Sequence, residues 1–177
     1  MKNTEKMLLV SRFLLLILSF FAMYACNRVA NEKQSDIIIK RTYHPNGKIE
    51  SVTSYVDSTK QGYFAFFDEY GVIRSDGILI DGKLNGTFIF YVAGQKFIED
   101  NYINDTMNGE KIFYYMNGNI RQKGMMINGK VEGKYEYYTE NGEIAKIKNY
   151  KNDTIVNEIV YIADFDEDNW FDFDGPM

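Results

Sequence analysis

Nine glycines fall into two interlocked series. Gly47, Gly71, Gly94, Gly118 and Gly142 recur at spacings of 24, 23, 24 and 24 residues. Gly62, Gly86, Gly109 and Gly133 each follow a member of the first series by 15 residues, and Asn157 holds the fifth place. A fixed period of this length is the signature of a repeat architecture, in which one small structural unit stacks on copies of itself. Any fold for this chain must satisfy that period first.

The unit has a physical reading. An apolar, aromatic run precedes each of the later first-series glycines: "YFAFF", "TFIFY", "KIFYY", "KYEYY". A longer run follows and carries a large side chain eight residues past the glycine: Tyr55, Leu79, Tyr102, Met126, Tyr150. Polar pairs come next: Asp57-Ser58, Asp81-Gly82, Asn104-Asp105, Asn128-Gly129, Asn152-Asp153. Strand, tight turn, strand, polar turn is a β-hairpin pattern. Five units predict about ten antiparallel strands in a meander, an extended single sheet over 37–162 nearly 50 Å long at about 4.8 Å per strand. No segment after residue 36 has sustained helical periodicity, so the domain is predicted to be all-β. Aromatics make up 16% of the chain, with 14 Tyr and 13 Phe, which suits pleated surfaces.

All nine glycines are read as turn positions set by backbone geometry. The residue before the first-series glycine varies: Asn46, Tyr70, Ala93, Asn117, Asn141. Tyr and Ala resist positive φ, so a turn ending in a single left-handed glycine with a bulge is expected at Gly71 and Gly94. The chain has no strand–GxGxxG–helix or P-loop pattern, so these glycines do not cradle phosphate.

Formal net charge is -5 and no basic stripe is present, which excludes a nucleic-acid binder. One Cys leaves no intrachain disulfide and no Cys-rich metal site. One His, His44, sits in a turn before Pro45-Asn46-Gly47 without the partners that a triad or zinc site needs. We therefore expect no cofactor, no metal and no enzyme activity.

Residues 1–25 read as an export signal; the alternative is an uncleaved membrane anchor from Met7 to Ala25, in which Arg12 would sit at a cost. Lys2, Lys6 and Arg12 precede an uncharged, mostly apolar run from Phe13 to Ala25, long enough for a signal core and too short to span a bilayer. The run ends at Met23-Tyr24-Ala25-Cys26, which resembles a bacterial lipobox. That resemblance implies cleavage before Cys26, a diacylglycerol on its thiol, and a palmitate-bearing protein anchored to a bacterial membrane and facing the periplasm or cell surface. Residues 27–36, "NRVANEKQSD", read as a flexible tether. Loss of Lys2, Lys6, Arg12 and Glu5 moves the net charge from -5 to -7, so anionic headgroups would repel the domain.

"DGKLNGTFIFY" and "NGKVEGKYEYY" resemble MORN repeats, whose core reads G-K-x-x-G before an aromatic strand. The "YYxNG" unit is similar to the bacterial variant found in YwqK-type antitoxins. The resemblance covers residues 43 to about 162. It implies a hairpin array used as a binding scaffold and carries no catalytic residues.

Two aromatic rows follow the second glycine series. Phe66, Phe90, Phe113 and Tyr137 lie four residues after it; Phe67, Tyr91, Tyr114 and Tyr138 lie five after. Alternation along a strand sends the rows to opposite faces. One row is expected to pack; the second, rich in Tyr, is the candidate surface for a protein or glycan partner. Self-association through exposed edge strands is the alternative, as a spacer or assembly module. The tail from residue 163, "ADFDEDNWFDFDGPM", alternates acidic and aromatic residues and reads as a tail or cap; Asp164, Asp166 and Asp168 have calcium-loop spacing without the Gly and Glu that such a loop requires.

Overall fold

The computed structural model describes residues 36–167. The signal segment, Cys26 and nearly all of the tether lie outside the described residues, as does the tail beyond Glu167.

Twelve strands follow one another: β1 (Ile37–Tyr43), β2 (Ile49–Val56), β3 (Thr59–Phe67), β4 (Ile73–Ile80), β5 (Lys83–Leu84), β6 (Gly86–Val92), β7 (Gln95–Ile103), β8 (Thr106–Tyr114), β9 (Ile120–Ile127), β10 (Lys130–Tyr138), β11 (Ile144–Lys151) and β12 (Thr154–Val160). They form one sheet in chain order, with the short β5 paired to β4 off the main path. Every pairing is antiparallel, and no helix occurs among the described residues. The sheet is open, with β1 and β12 as its edges. The meander expected from the glycine period is therefore the fold.

The turns divide into two kinds. At Gly47, Gly71, Gly118 and Gly142 the glycine N–H donates to the carbonyl three residues back, at 2.9 Å each, and only the glycine has positive φ. This is the bulged form expected at Gly71. Gly94 differs. There Ala93 (φ 50°) and Gly94 (φ 77°) are both left-handed, in a two-residue loop between Val92 and Gln95. The expectation of a bulged turn at Gly94 is thus corrected. The cause is the one 23-residue spacing: Gly94 comes eight residues after Gly86, where the other units allow nine. A loop one residue shorter must reverse the chain with two positive φ values, and Ala93 accepts one.

The polar pairs form two-residue turns of the same kind. Asp57-Ser58, Asn104-Asp105 and Asn152-Asp153 have positive φ at both residues without any glycine, and Asp81-Gly82 and Asn128-Gly129 also have positive φ at both. Asn and Asp tolerate this region better than other side chains. Successive turns are tied together: Gly82, Asp105, Gly129 and Asp153 each donate an N–H to a carbonyl of the preceding unit (Lys60, Leu84, Met107, Val131), at 2.8–3.0 Å.

The second glycine series is corrected as well. Gly62, Gly109 and Gly133 lie inside strands and Gly86 opens one; all four have positive φ, at or beside breaks in register, so they are bulge residues and not turns. Each faces a large side chain across the next strand: Gly62 opposite Leu79, Gly86 opposite Tyr102, Gly109 opposite Met126, Gly133 opposite Tyr150. The glycine leaves room on that face for its bulky partner.

The register sorts side chains onto two faces. Phe64 and Phe66 on β3, Phe88 and Phe90 on β6, Phe113 on β8, and Tyr135 and Tyr137 on β10 share one, here called the ring face. Phe64 stacks on Phe88 with centroids 6.3 Å apart, and Tyr135 meets Tyr150 edge-on at 5.9 Å. The Tyr135 ring lies flat over Gly124, where a Cβ would fall 2.0 Å from the ring. Phe64 and Phe88 close over Gly77 in the same way. Past β12 the chain turns back: Tyr161 and Ile162 donate to the Ala145 carbonyl, and Glu167 reaches Lys146 and Lys148 on the ring face.

Candidate functional site

The row Phe67, Tyr91, Tyr114 and Tyr138 lies on the face opposite the ring face, here the tyrosine face. Each member sits at a register shift just before the hairpin turn: Phe66/Phe67, Phe90/Tyr91, Phe113/Tyr114, Tyr137/Tyr138. In each case the extra residue lies on the following strand (Arg74, Phe97, Arg121, Ala145), opposite the end of the strand that carries the ring. The four residues occupy β3, β6, β8 and β10, every second strand along the path, so neighbours are about 9.6 Å apart by strand spacing. All four are half-buried.

Three of the four are tyrosines, and each faces a carboxylate. Tyr114 Oη donates to Glu99 Oε2 at 3.1 Å, and Tyr138 Oη donates to Glu136 Oε2 at 3.0 Å. Asp76 faces Tyr91, and Tyr63 as well. Burial first, then the Asp76 carboxylate, push Tyr91 up to about 12; burial, then Glu99, push Tyr114 up to about 12. Lysines complete the pattern. Lys96 Nζ lies 2.9 Å from Glu99, Lys123 Nζ 3.7 Å from Glu136, and Lys123 also sits over the Tyr138 ring at 5.8 Å. Against burial, which would raise it, hydrogen bonds from Lys134 and Tyr138 hold the Glu136 carboxyl low. Asp76 Oδ1 is buried with no hydrogen-bond partner among the described residues.

This arrangement fixes flat rings by their hydroxyls and lays acidic and basic groups beside them. It can hold a surface against a partner. The two hollows near the turns, one lined by Ile127, Lys130 and Glu132 and the other by Lys48, Ile49 and Phe67, bring no convergent set of acid, base and nucleophile together. His44 Nε2 is bound to the Phe67 carbonyl at 2.9 Å. Among the described residues no group of His, Cys, Asp or Glu is arranged to hold a metal ion.

The sequence reading found the rings and missed their supports. Asp76 and Glu99 stand five residues after Gly71 and Gly94, but Val52, Lys123 and Ile147 hold that place in the other units. No constant residue type marks the position, and only the register reveals which groups meet.

Three segments, 39–57, 107–128 and 131–152, match the model of the MORN repeat variant. They coincide with hairpins β1–β2, β8–β9 and β10–β11. The chain is a MORN-repeat protein. Between the matches, β3–β4 and β6–β7 build the same MORN hairpin, the latter around the shortened Ala93 turn. No curated protein matches. Among solved structures the chain is similar to a mutant of S. aureus TarM in complex with Fondaparinux, alpha-GlcNAc-glycerol and UDP, at 11% identity and TM-score 0.30, over 56% of this chain and 18% of that one. It is also similar to TarM itself, at 9% identity and TM-score 0.30, over 78% of this chain and 22% of that one. The chain thus spans about a fifth of the length of these structures.

Proposed function

We propose that this protein is a non-catalytic binding module of the bacterial cell envelope, anchored by a lipid on Cys26, that takes a protein or glycan partner on its tyrosine face. One observation carries the reading: Tyr91, Tyr114 and Tyr138 stand on one face at regular intervals, each beside a carboxylate that orients its hydroxyl. Rings already held in place lose little conformational freedom on contact, and Tyr joins an apolar ring to a polar tip. The resemblance of the repeat sequences to those of YwqK-type antitoxins is in keeping with protein recognition.

Two experiments test the reading. Crosslinking in intact cells should recover a partner with the wild type. It should fail with Tyr91, Tyr114 and Tyr138 all changed to Ser, while the β-sheet circular dichroism is kept. Equal recovery by the triple variant sinks the reading. Metabolic labelling with a palmitate analogue should mark the wild type and spare Cys26→Ser.

A second reading, self-association, is favoured by the edges. Every residue of β1 and of β12 is exposed, including Ile37, Ile38, Ile39, Ile155, Val156 and Val160. Open strand edges of this kind invite pairing with another chain. Strictly monomeric mass at high concentration would remove it.

A further inference from the structure

We propose that Asp76, between Tyr63 and Tyr91, anchors a lysine or arginine side chain of a protein partner; this rests on the tyrosine face being the binding face and names the chemistry it takes. Asp76 on β4 lies directly opposite Ala65 on β3 and Ile89 on β6. Tyr63 and Tyr91 stand two residues from these, one on each neighbouring strand, diagonal to Asp76 on the same face. The carboxylate thus sits between two rings. It is half-buried, and Tyr63 beside it is 45% exposed.

The neighbouring units show how such a carboxylate is served elsewhere on the sheet. Glu99, beside Tyr114, pairs at 2.9 Å with Lys96, three residues earlier on its own strand. Glu136, beside Tyr138, pairs at 3.7 Å with Lys123, directly across on β9, and that ammonium also lies 5.8 Å from the centre of the Tyr138 ring. Both routes are closed to Asp76. Ile73 stands opposite Phe67, where Lys96 stands opposite Tyr91, and the residues directly across are Ala65 and Ile89. Arg74 lies 4.0 Å from Asp68 instead. Among the described residues no cation pairs with Asp76, and its Oδ1 is buried without a hydrogen-bond donor. A half-buried carboxylate short of both a counter-charge and a donor gains most from a cation. The two flanking rings add their own attraction for one. The guest would do for Asp76 what Lys123 does for Glu136. A neutral sugar brings hydroxyls and no charge, so the site favours a basic protein segment over a glycan. A chain of formal net charge -5 also draws such a segment in.

The purified full chain, with its tyrosines labelled for NMR, can be titrated with N-acetyl-lysinamide and N-acetyl-argininamide, with neutral N-acetyl-norleucinamide as the control. The two cations should move the ring signals of Tyr63 and Tyr91 in a saturable way that fades with added salt. Asp76→Asn should weaken this binding by about tenfold with the β-sheet dichroism unchanged. Ile73→Lys, which supplies a lysine from within, should weaken it as much while Asp76 and both rings stay in place. Undiminished shifts in either variant, or no shift with either cation, overturn the proposal. Shifts from a neutral oligosaccharide alone also overturn it and leave the tyrosine face standing as a glycan surface. If the triple tyrosine variant loses its partner in cells while the cations bring no shift, only the role of Asp76 falls.

Discussion

Ala93 adopts φ of 50° because its unit is one residue short, and no side-chain hydrogen bond rewards it. The left-handed region costs a Cβ-bearing residue about 1–2 kcal/mol, and Asn bears it best after Gly. Ala93→Asn should raise the unfolding free energy by about 1 kcal/mol. The check is a higher urea midpoint with an unchanged slope. Gly124 makes the opposite case. Its φ is unexceptional, and it is glycine because the Tyr135 ring occupies the space of a Cβ. Gly124→Ala should cost about 3 kcal/mol, the upper range for an overpacked site. At Gly77 the nearest ring atom of Phe64 would be 3.0 Å from the new Cβ, so the same change should cost about 1 kcal/mol.

At the scale of the strand and hairpin, one repeat position has different consequences along the row. Tyr137 is buried and Phe66 is half open. Tyr137→Ala should cost about 3 kcal/mol and Phe66→Ala about 1 kcal/mol, from the fraction of ring area each loses. Equal costs in equilibrium unfolding would mean that cover does not vary along the sheet. Hairpins were the most legible part of this protein, because positive φ at a fixed place leaves a glycine in every unit. Gly94 shows the limit. The spacing of 23 was visible, but its effect on turn type depends on which residue was lost. The in-strand role of Gly62, Gly86, Gly109 and Gly133 was hidden for a related reason: turn and bulge both call for a left-handed residue, and only register separates them. Gly77 and Gly124 escaped because Thr53, Asp100 and Lys148 hold their place in other units, where the facing side chain lies differently.

For the whole sheet, alkaline pH is the sharpest probe, because tyrosines run through nearly every unit. Burial, aided by neighbouring carboxylates or hydroxyls, raises Tyr63, Tyr91, Tyr102, Tyr114, Tyr135, Tyr137 and Tyr138 above the ordinary phenol value of 10.0. A group whose folded pKa exceeds its unfolded one adds stability that is complete below the unfolded value and disappears as pH rises through the folded value. For Tyr91 and Tyr114 that window runs from 10.0 to about 12. Tyr135 and Tyr137 lie higher still, so they cannot ionise while the sheet stays packed. Above pH 10 the phenolate signal of these seven tyrosines and the loss of β-sheet dichroism should rise together, because each unit leans on its neighbours. Changing Tyr91 and Tyr114 to Phe removes two of the coupled protons and should make the decline shallower. A sheet that keeps its dichroism while every tyrosine titrates as a free phenol would show that these hydroxyls are not held by the carboxylates beside them.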